Sequence, residues 1–326
     1  MTLIPAKTAG GPFCHRGVPT SSLTREHRIS ALAETTTSNA TDPDPSDSSN
    51  FLTLAQRHYE NFPVGSWLLP KDARRHLHRI YAFARTADDL ADELQDRAAL
   101  AAFRGEFLRH QDPQVRDVPL FTELFVSIRE RQLEVSLFTD LLDAFDQDCH
   151  QTRYSRPELL DYCRRSADPV GRLVLRVCGY RDPRLDAWSD HICTGLQLVN
   201  HLQDLREDLL ERDRVYFPVE ELAACGATVD DLRAERASPA VRRFVLEQTE
   251  RVGEGLAAGW PLIAAVRGRL RLELRAIVRG AAAVLARIRA VEGDVLGGDV
   301  HLSKAARLRS VFAGLLLPHA PRWGAR

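Results

Sequence analysis

"KDARRHLHRIYAFARTADDLADEL", residues 71–94, sets apolar side chains at Leu77, Ile80, Phe83, Ala84, Ala87, Leu90, Ala91 and Leu94. That spacing follows the i, i+3, i+4, i+7 rule of an amphipathic helix, not the alternation of a strand. The same stretch carries Asp88, Asp89, Asp92 and Glu93. Carboxylates repel one another and resist burial, so their place on a helix that otherwise belongs in a core calls for a cation.

The helical period recurs downstream. "RPELLDYCRRSADPVGRLVLRVCG" has Pro157 in its first turn and Gly179 after its end, with Pro169 predicting a kink or break inside it. "RLDAWSDHICTGLQLVNHLQDLREDLLERD" reads as one very long helix. "SPAVRRFVLEQTERVGEGLAAGWPLIAAV" and "RLRLELRAIVRGAAAVLARIRAV" add two more. No run of alternating β-branched residues stands out. The expectation is an all-α protein of ten or more helices, with residues 51–320 as a single domain around one core. Residues 1–50 differ in kind. "TTTSNATDPDPSDSSN" offers almost nothing to bury, and such a tail is expected to be disordered.

The 326-residue chain has 44% apolar and 27% charged residues and a formal net charge of −1. A broad nucleic-acid surface needs a basic excess that this balance lacks. Cys14, Cys149, Cys163, Cys178, Cys193 and Cys225 form no C-x-x-C pair, and they read as reduced thiols of a cytosolic protein. No apolar run reaches the ~18 residues of a membrane span, and no secretory signal opens the chain. No G-x-G-x-x-G follows a strand, so a dinucleotide fold lacks support.

On a helix Tyr81, Arg85, Asp88 and Asp92 stand at offsets 0, 4, 7 and 11 and fall within about 60° of one another. A tyrosine, an arginine and two carboxylates thus share one stripe, with Asp89 and Glu93 beside it. A solvated charged face is the competing explanation. Against it, the segment is otherwise small and apolar, and like charges at i, i+4 destabilise a helix. Two aspartates one turn apart suit Mg²⁺, which keeps sites for water and a phosphate oxygen.

"LQLVNHLQDLREDLLERDRVYFP", residues 196–218, repeats the pattern: Gln197, Asn200, Asp204 and Asp208 have offsets 0, 3, 7 and 11 and span about 80°. Glu207 and Glu211 read as surface charges. One D-x-x-x-D is a weak signal, whereas two on long apolar helices are a strong one. Facing each other, the pairs would hold a diphosphate through Mg²⁺. A di-iron bundle would need Glu-x-x-His pairs, and the chain has none. His58, His76, His78, His191 and His201 are scattered, and none is assigned a catalytic part.

These residues resemble the squalene/phytoene synthase family of head-to-head isoprenoid enzymes over about residues 52–290. Asp88 and Asp92 match its first aspartate-rich motif, and Asp204 and Asp208 its second. "RVYFP" at 214–218 and "DYCRRSADPVG" at 161–171 match neighbouring segments. Within the family, "HYENFPVGSWLLP", "IYAFARTADDLADE" and "CRRSADPVGRLVL" look like the hopanoid-pathway branch, the hydroxysqualene synthases. One departure is Gln203, where condensing members usually carry Arg before the second motif. That loss of a fixed cation fits an enzyme handling one diphosphate.

The resemblance implies an isoprenoid synthase helical bundle around a central cavity. It also implies release of diphosphate from presqualene diphosphate to give hydroxysqualene. Asp88, Asp92, Asn200, Asp204 and Asp208 would ligate Mg²⁺, and Arg85 and Arg214 would bind the diphosphate. Tyr81 would join the catalytic group, and Phe62, Tyr162, Val170, Gly171 and Tyr216 would meet the substrate. Gln197 and Asn200 would orient water or ligands. Plain core packing competes for Phe62, Tyr162 and Val170, and a structural ion pair competes for Arg85 and Arg214. Partner enzymes would supply presqualene diphosphate and reduce the alcohol. Two alternatives are a condensing synthase and an inactive helical scaffold. The basic, partly apolar "SKAARLRSVFAGLLLPHAPRWGAR" is expected to pack on the bundle as a last helix, the competing reading being contact with an anionic membrane at the cytoplasmic face.

Overall fold

The computed structural model describes residues 69–92, 97–297 and 300–303, and then 305, 309, 312–313, 316–317, 319–321 and 323; of Asp92 it describes the backbone alone. The 1–50 tail, His58, Phe62, most of "HYENFPVGSWLLP", Glu93, Leu94 and Cys14 lie outside the described residues.

Twelve α-helices occur among the described residues: α1 (Lys71–Asp92), α2 (Arg97–Arg109), α3 (Pro119–Arg131), α4 (Val135–Asp148), α5 (Arg156–Ser166), α6 (Asp168–Val177), α7 (Pro183–Gln203), α8 (Leu205–Arg212), α9 (Val219–Ala224), α10 (Pro239–Gly259), α11 (Pro261–Ala265) and α12 (Gly268–Ala290). No strand is present among them, and one isolated bridge joins Arg153 to Val215. The all-α expectation holds.

Local chemistry sets the ends of these helices. Pro119, Pro157, Pro169, Pro183 and Pro239 each open a helix, where a missing N–H costs nothing. Glu158 accepts the Ser155 N–H at 2.7 Å to box the start of α5. Asp182 accepts the Arg184 N–H at 2.9 Å at the start of α7. Gly179, at φ +86°, turns the chain after α6. Pro169 produces the expected break, with Ala167 between α5 and α6 at φ −117° and ψ −49°.

The long helix expected over 184–213 is instead two. Asp204, at φ −97° and ψ 9°, stands between α7 and α8. The break is narrow: Asp204 N–H still bonds Asn200 O at 2.9 Å, and Asp208 N–H bonds Asp204 O at 2.8 Å. No glycine or proline marks it in the sequence.

Two apolar clusters make the core. One gathers Phe83, Phe107, Phe121, Phe125 and Phe138 from α1 to α4. Phe83 sits at its centre, 4.9 Å from the Phe107 ring and edge-on to Phe138 at 5.3 Å. The other joins α5, the second half of α7, α8, α10 and α12 through Leu198, Leu202, Phe217, Phe244 and Leu285. Helix α7 is central, packing on α6 and α10. Glycines permit its close contacts: a Cβ on Gly171 would lie 2.3 Å from Ser189 Oγ and 2.5 Å from Cys193 Sγ. On the other side, Gly259 has Trp188 O at 2.8 Å from its absent Cβ.

Cys149, Cys163, Cys178, Cys193 and Cys225 are free thiols. Among the described residues no helix is long and apolar enough to cross a membrane. The C-terminal segment touches the bundle: Arg279 donates to Leu317 O at 3.2 Å, and Arg289 to Trp323 O at 2.5 Å.

Candidate active site

The first acidic stripe lies on α1. Asp88 is buried. Arg85 donates from Nη1 to Asp88 Oδ2 at 3.0 Å and also pairs with Asp89. The cation that the helix needed is therefore on the same stripe. Burial pushes the Tyr81 phenol up to about 12, which keeps it protonated. Asp89 is the more exposed acid and belongs to the Arg85 pair.

The second stripe surrounds the α7–α8 break. Burial pushes the Asp204 carboxyl up to about 6, with repulsion from Asp208 and Glu207 adding to the rise. For Asp208, burial pulls the same way, yet the carboxyl lies below its ordinary value, with His201 and Arg212 among the groups that lower it. Arg212 Nη1 is 3.5 Å from Asp208 Oδ1. Asp208 Oδ2 is buried with no hydrogen-bond partner among the described residues. Glu207 and Glu211 are exposed, as expected. Gln203 lies 3.3 Å from His301 Nδ1 through its Nε2, and Arg206 donates to Arg233 O.

Between the stripes lies a polar cluster whose centre sequence reasoning missed. Asp148, at the end of α4, accepts from Tyr162 at 2.8 Å and from Tyr216 at 3.2 Å. Arg214 donates to the Tyr216 hydroxyl at 2.8 Å and to Asp148 O at 2.5 Å. Tyr154 stacks on Tyr216 at 5.3 Å. Burial raises the Tyr162 and Tyr216 phenols well above their ordinary value, so both remain donors. His201, also unassigned from sequence, stacks on Tyr216 with centroids 3.7 Å apart. Burial lowers it to about 4, so its ring is neutral. Gln197, fully buried, meets His201 Nε2 at 3.3 Å.

These contacts connect the two motifs. Cys149 Sγ reaches Ala91 O at 3.8 Å, beside Asp92. From Asp148 the path continues through Tyr216 and His201 to Asp208. The C-terminal end of α1 therefore touches the residue after Asp148, while Asp208 at the α7–α8 junction lies beside His201 of the cluster. Of the residues named from sequence, Tyr162, Gln197, Asp208, Arg214 and Tyr216 come together there, with Asn200 and Asp204 on the adjoining turn. Val170 packs on the phenylalanine-rich cluster, and Gly171 serves the α6–α7 contact.

The squalene/phytoene synthase family model matches residues 55–306, which includes both aspartate pairs. The chain belongs to the squalene/phytoene synthase family. A hydroxysqualene synthase from Rhodopseudomonas palustris is 38% identical over 67% of this chain and 75% of its own. A phytoene synthase from Thermus thermophilus is 31% identical over 82% of this chain and 90% of its own. Among solved structures, the squalene synthase HpnC from Alicyclobacillus acidocaldarius superposes with a TM-score of 0.69 at 37% identity, covering 74% of this chain and 94% of that one. The helical bundle is thus the isoprenoid synthase fold, and a squalene/phytoene synthase is an enzyme of isoprenoid synthesis.

A signal for His201 existed in the sequence. Gln197, His201 and Asp208 have offsets 0, 4 and 11, which places all three on the aspartate stripe. Asp148 had none, because it follows Asp140, Asp143 and Asp146 on an ordinary acidic helix.

Proposed function

We propose that the protein is a hydroxysqualene synthase, a carbon–oxygen lyase that turns presqualene diphosphate and water into hydroxysqualene and diphosphate with Mg²⁺. The observation that carries this reading is the similarity to enzymes named for that product across two thirds of the chain. Residues 51–320 would form the catalytic domain.

The residues suit a divalent cation. Asp204 and Asp208 are crowded carboxyls one turn apart, and one buried oxygen of Asp208 lacks a hydrogen-bond partner among the described residues. Asp88, Asp92, Asn200, Asp204 and Asp208 would hold the metal. Bound there, Mg²⁺ supplies positive charge to the departing diphosphate. Arg85 would add charge-assisted hydrogen bonds to the diphosphate oxygens, and Arg214 would add its charge from the tyrosine cluster. The C–O bond to diphosphate breaks with its electron pair on the leaving group. The cyclopropylcarbinyl cation left behind rearranges and is captured by water, which gives up a proton as the new C–O bond forms. The ring face of Tyr81 would stabilise that cation, while Tyr162 and Tyr216, packed against Tyr154 and His201, would hold the cluster behind the site.

A condensing synthase is the second reading, favoured by the phytoene synthase relative. Gln203 argues against it, since its amide is turned toward His301. Purified protein with Mg²⁺ and presqualene diphosphate should yield hydroxysqualene, and farnesyl diphosphate alone should yield nothing. Presqualene diphosphate formed from farnesyl diphosphate, with no alcohol from the first substrate, would replace the lyase by the condensing enzyme. Enzymes that make presqualene diphosphate and reduce hydroxysqualene are the implied partners. A cytoplasmic site with peripheral membrane contact would suit lipid substrates.

A further inference from the structure

His201 is an imidazole between an amide and a carboxylate. Its Nε2 lies 3.3 Å from Gln197 Nε2, and its Nδ1 lies 3.8 Å from Asp208 Oδ2. Neither His201 Nδ1 nor Asp208 Oδ2 has a hydrogen-bond partner among the described residues, and the two face each other across 3.8 Å. One arrangement of protons serves both ends of the ring. The Gln197 amide donates to the Nε2 lone pair, so the ring proton sits on Nδ1 and faces the carboxylate. The opposite tautomer would set a lone pair against a carboxylate oxygen and a ring N–H against an amide N–H.

The two oxygens of Asp208 also have different neighbours. Oδ2 faces His201, while Oδ1 has Arg212 Nη1 at 3.5 Å. The imidazole cannot drift, because it stacks on Tyr216 at an angle of 22° and Tyr216 is tied to Asp148. We infer that His201 is a positioning residue for Asp208: its Nδ1–H, aimed by Gln197 and held by Tyr216, faces Oδ2 across 3.8 Å and draws that oxygen toward itself, and so sets the direction in which the carboxylate meets a divalent cation. This inference rests on the metal reading above. Groups that orient a ligand in this way control metal affinity without touching the metal.

The test uses the full chain, inorganic diphosphate and Mn²⁺, with binding read by water-proton relaxation. His201→Phe keeps a ring on Tyr216 and removes the donor. His201→Asn places an N–H near the Nδ1 position, and His201→Gln near the Nε2 position. Phe and Gln should weaken Mn²⁺ binding about 10–100-fold, whereas Asn should retain most of it. The Mg²⁺ concentration for half-maximal turnover should move in the same order. Wild-type affinity in the Phe variant, or equal losses in Phe and Asn, would overturn the role. If Phe fails to fold, equal affinities for Asn and Gln would do the same. A wild-type protein that binds no Mn²⁺ with diphosphate removes the metal reading too, whereas unchanged variants of a binding protein remove His201's part alone.

Discussion

Tyr162 donates its phenol O–H to Asp148 Oδ2 at 2.8 Å, and both side chains are buried. The pair joins α4 to α5 and gives the tyrosine cluster a negative centre. Replacing Tyr162 by Phe leaves a buried carboxylate short of one donor, at a cost of about 1–3 kcal/mol. Tyr162→Phe should lower the urea midpoint and turnover together. Asp148→Asn should lower turnover while tolerating the Phe change better than wild type does. Equal and additive losses in the double variant would show that the two side chains do not act as a unit.

Gly171 lets α6 close on α7. An alanine there would press its Cβ on Ser189 Oγ and Cys193 Sγ. Gly171→Ala should destabilise the fold by about 1–3 kcal/mol. Adding Ser189→Ala and Cys193→Ala removes both clashing atoms and should return most of the lost thermal midpoint. No recovery in the triple variant would place the constraint elsewhere.

What could be read from sequence follows a simple division. Helix period and the proline start of α5 are local patterns, and α1 and α5 stand where residues 71–92 and 156–166 placed them. The α7–α8 break escaped notice because Leu202, Leu205 and Leu209 keep their apolar period across Asp204. Asp148 was invisible for another reason. Its partner Tyr216 is 68 positions away, and only tertiary packing brings them together. Gly171, expected from the resemblance to meet substrate, shows in the structure a packing contact that no single-chain pattern predicts.

Stability should also depend on Asp168. It is buried, accepts from Thr194 at 2.9 Å, and is raised to about 7, first by burial and next by Asp190. A folded value above the unfolded one, about 3.9, means that the native state holds this proton more tightly. The contribution is therefore full below about pH 4 and is lost as pH rises through about 7, with a slope of at most about 1.4 kcal/mol per pH unit. Asp168→Asn keeps an acceptor for Thr194 and cannot ionise. Its urea midpoint should fall less between pH 5 and pH 8 than that of wild type. An identical fall in both proteins would assign the dependence to other groups, of which Glu273, raised to about 8 by burial, is the first to test.

Asp204 should show function and stability in opposition. Burial raises its carboxyl to about 6, with Asp208 and Glu207 adding repulsion, so ionisation at pH 8 works against the fold when no cation is bound. In metal-free buffer at pH 8, Asp204→Asn should therefore be more stable than wild type by about 1–3 kcal/mol. The same change removes a proposed Mg²⁺ ligand, and turnover should fall by about 100-fold or more. Wild type should in turn gain thermal midpoint from Mg²⁺ with diphosphate, because a ligand of the folded state alone stabilises it, while the variant gains little. A variant that loses stability and keeps its turnover would leave Asp204 as a structural residue at the helix break and move the metal site off α7.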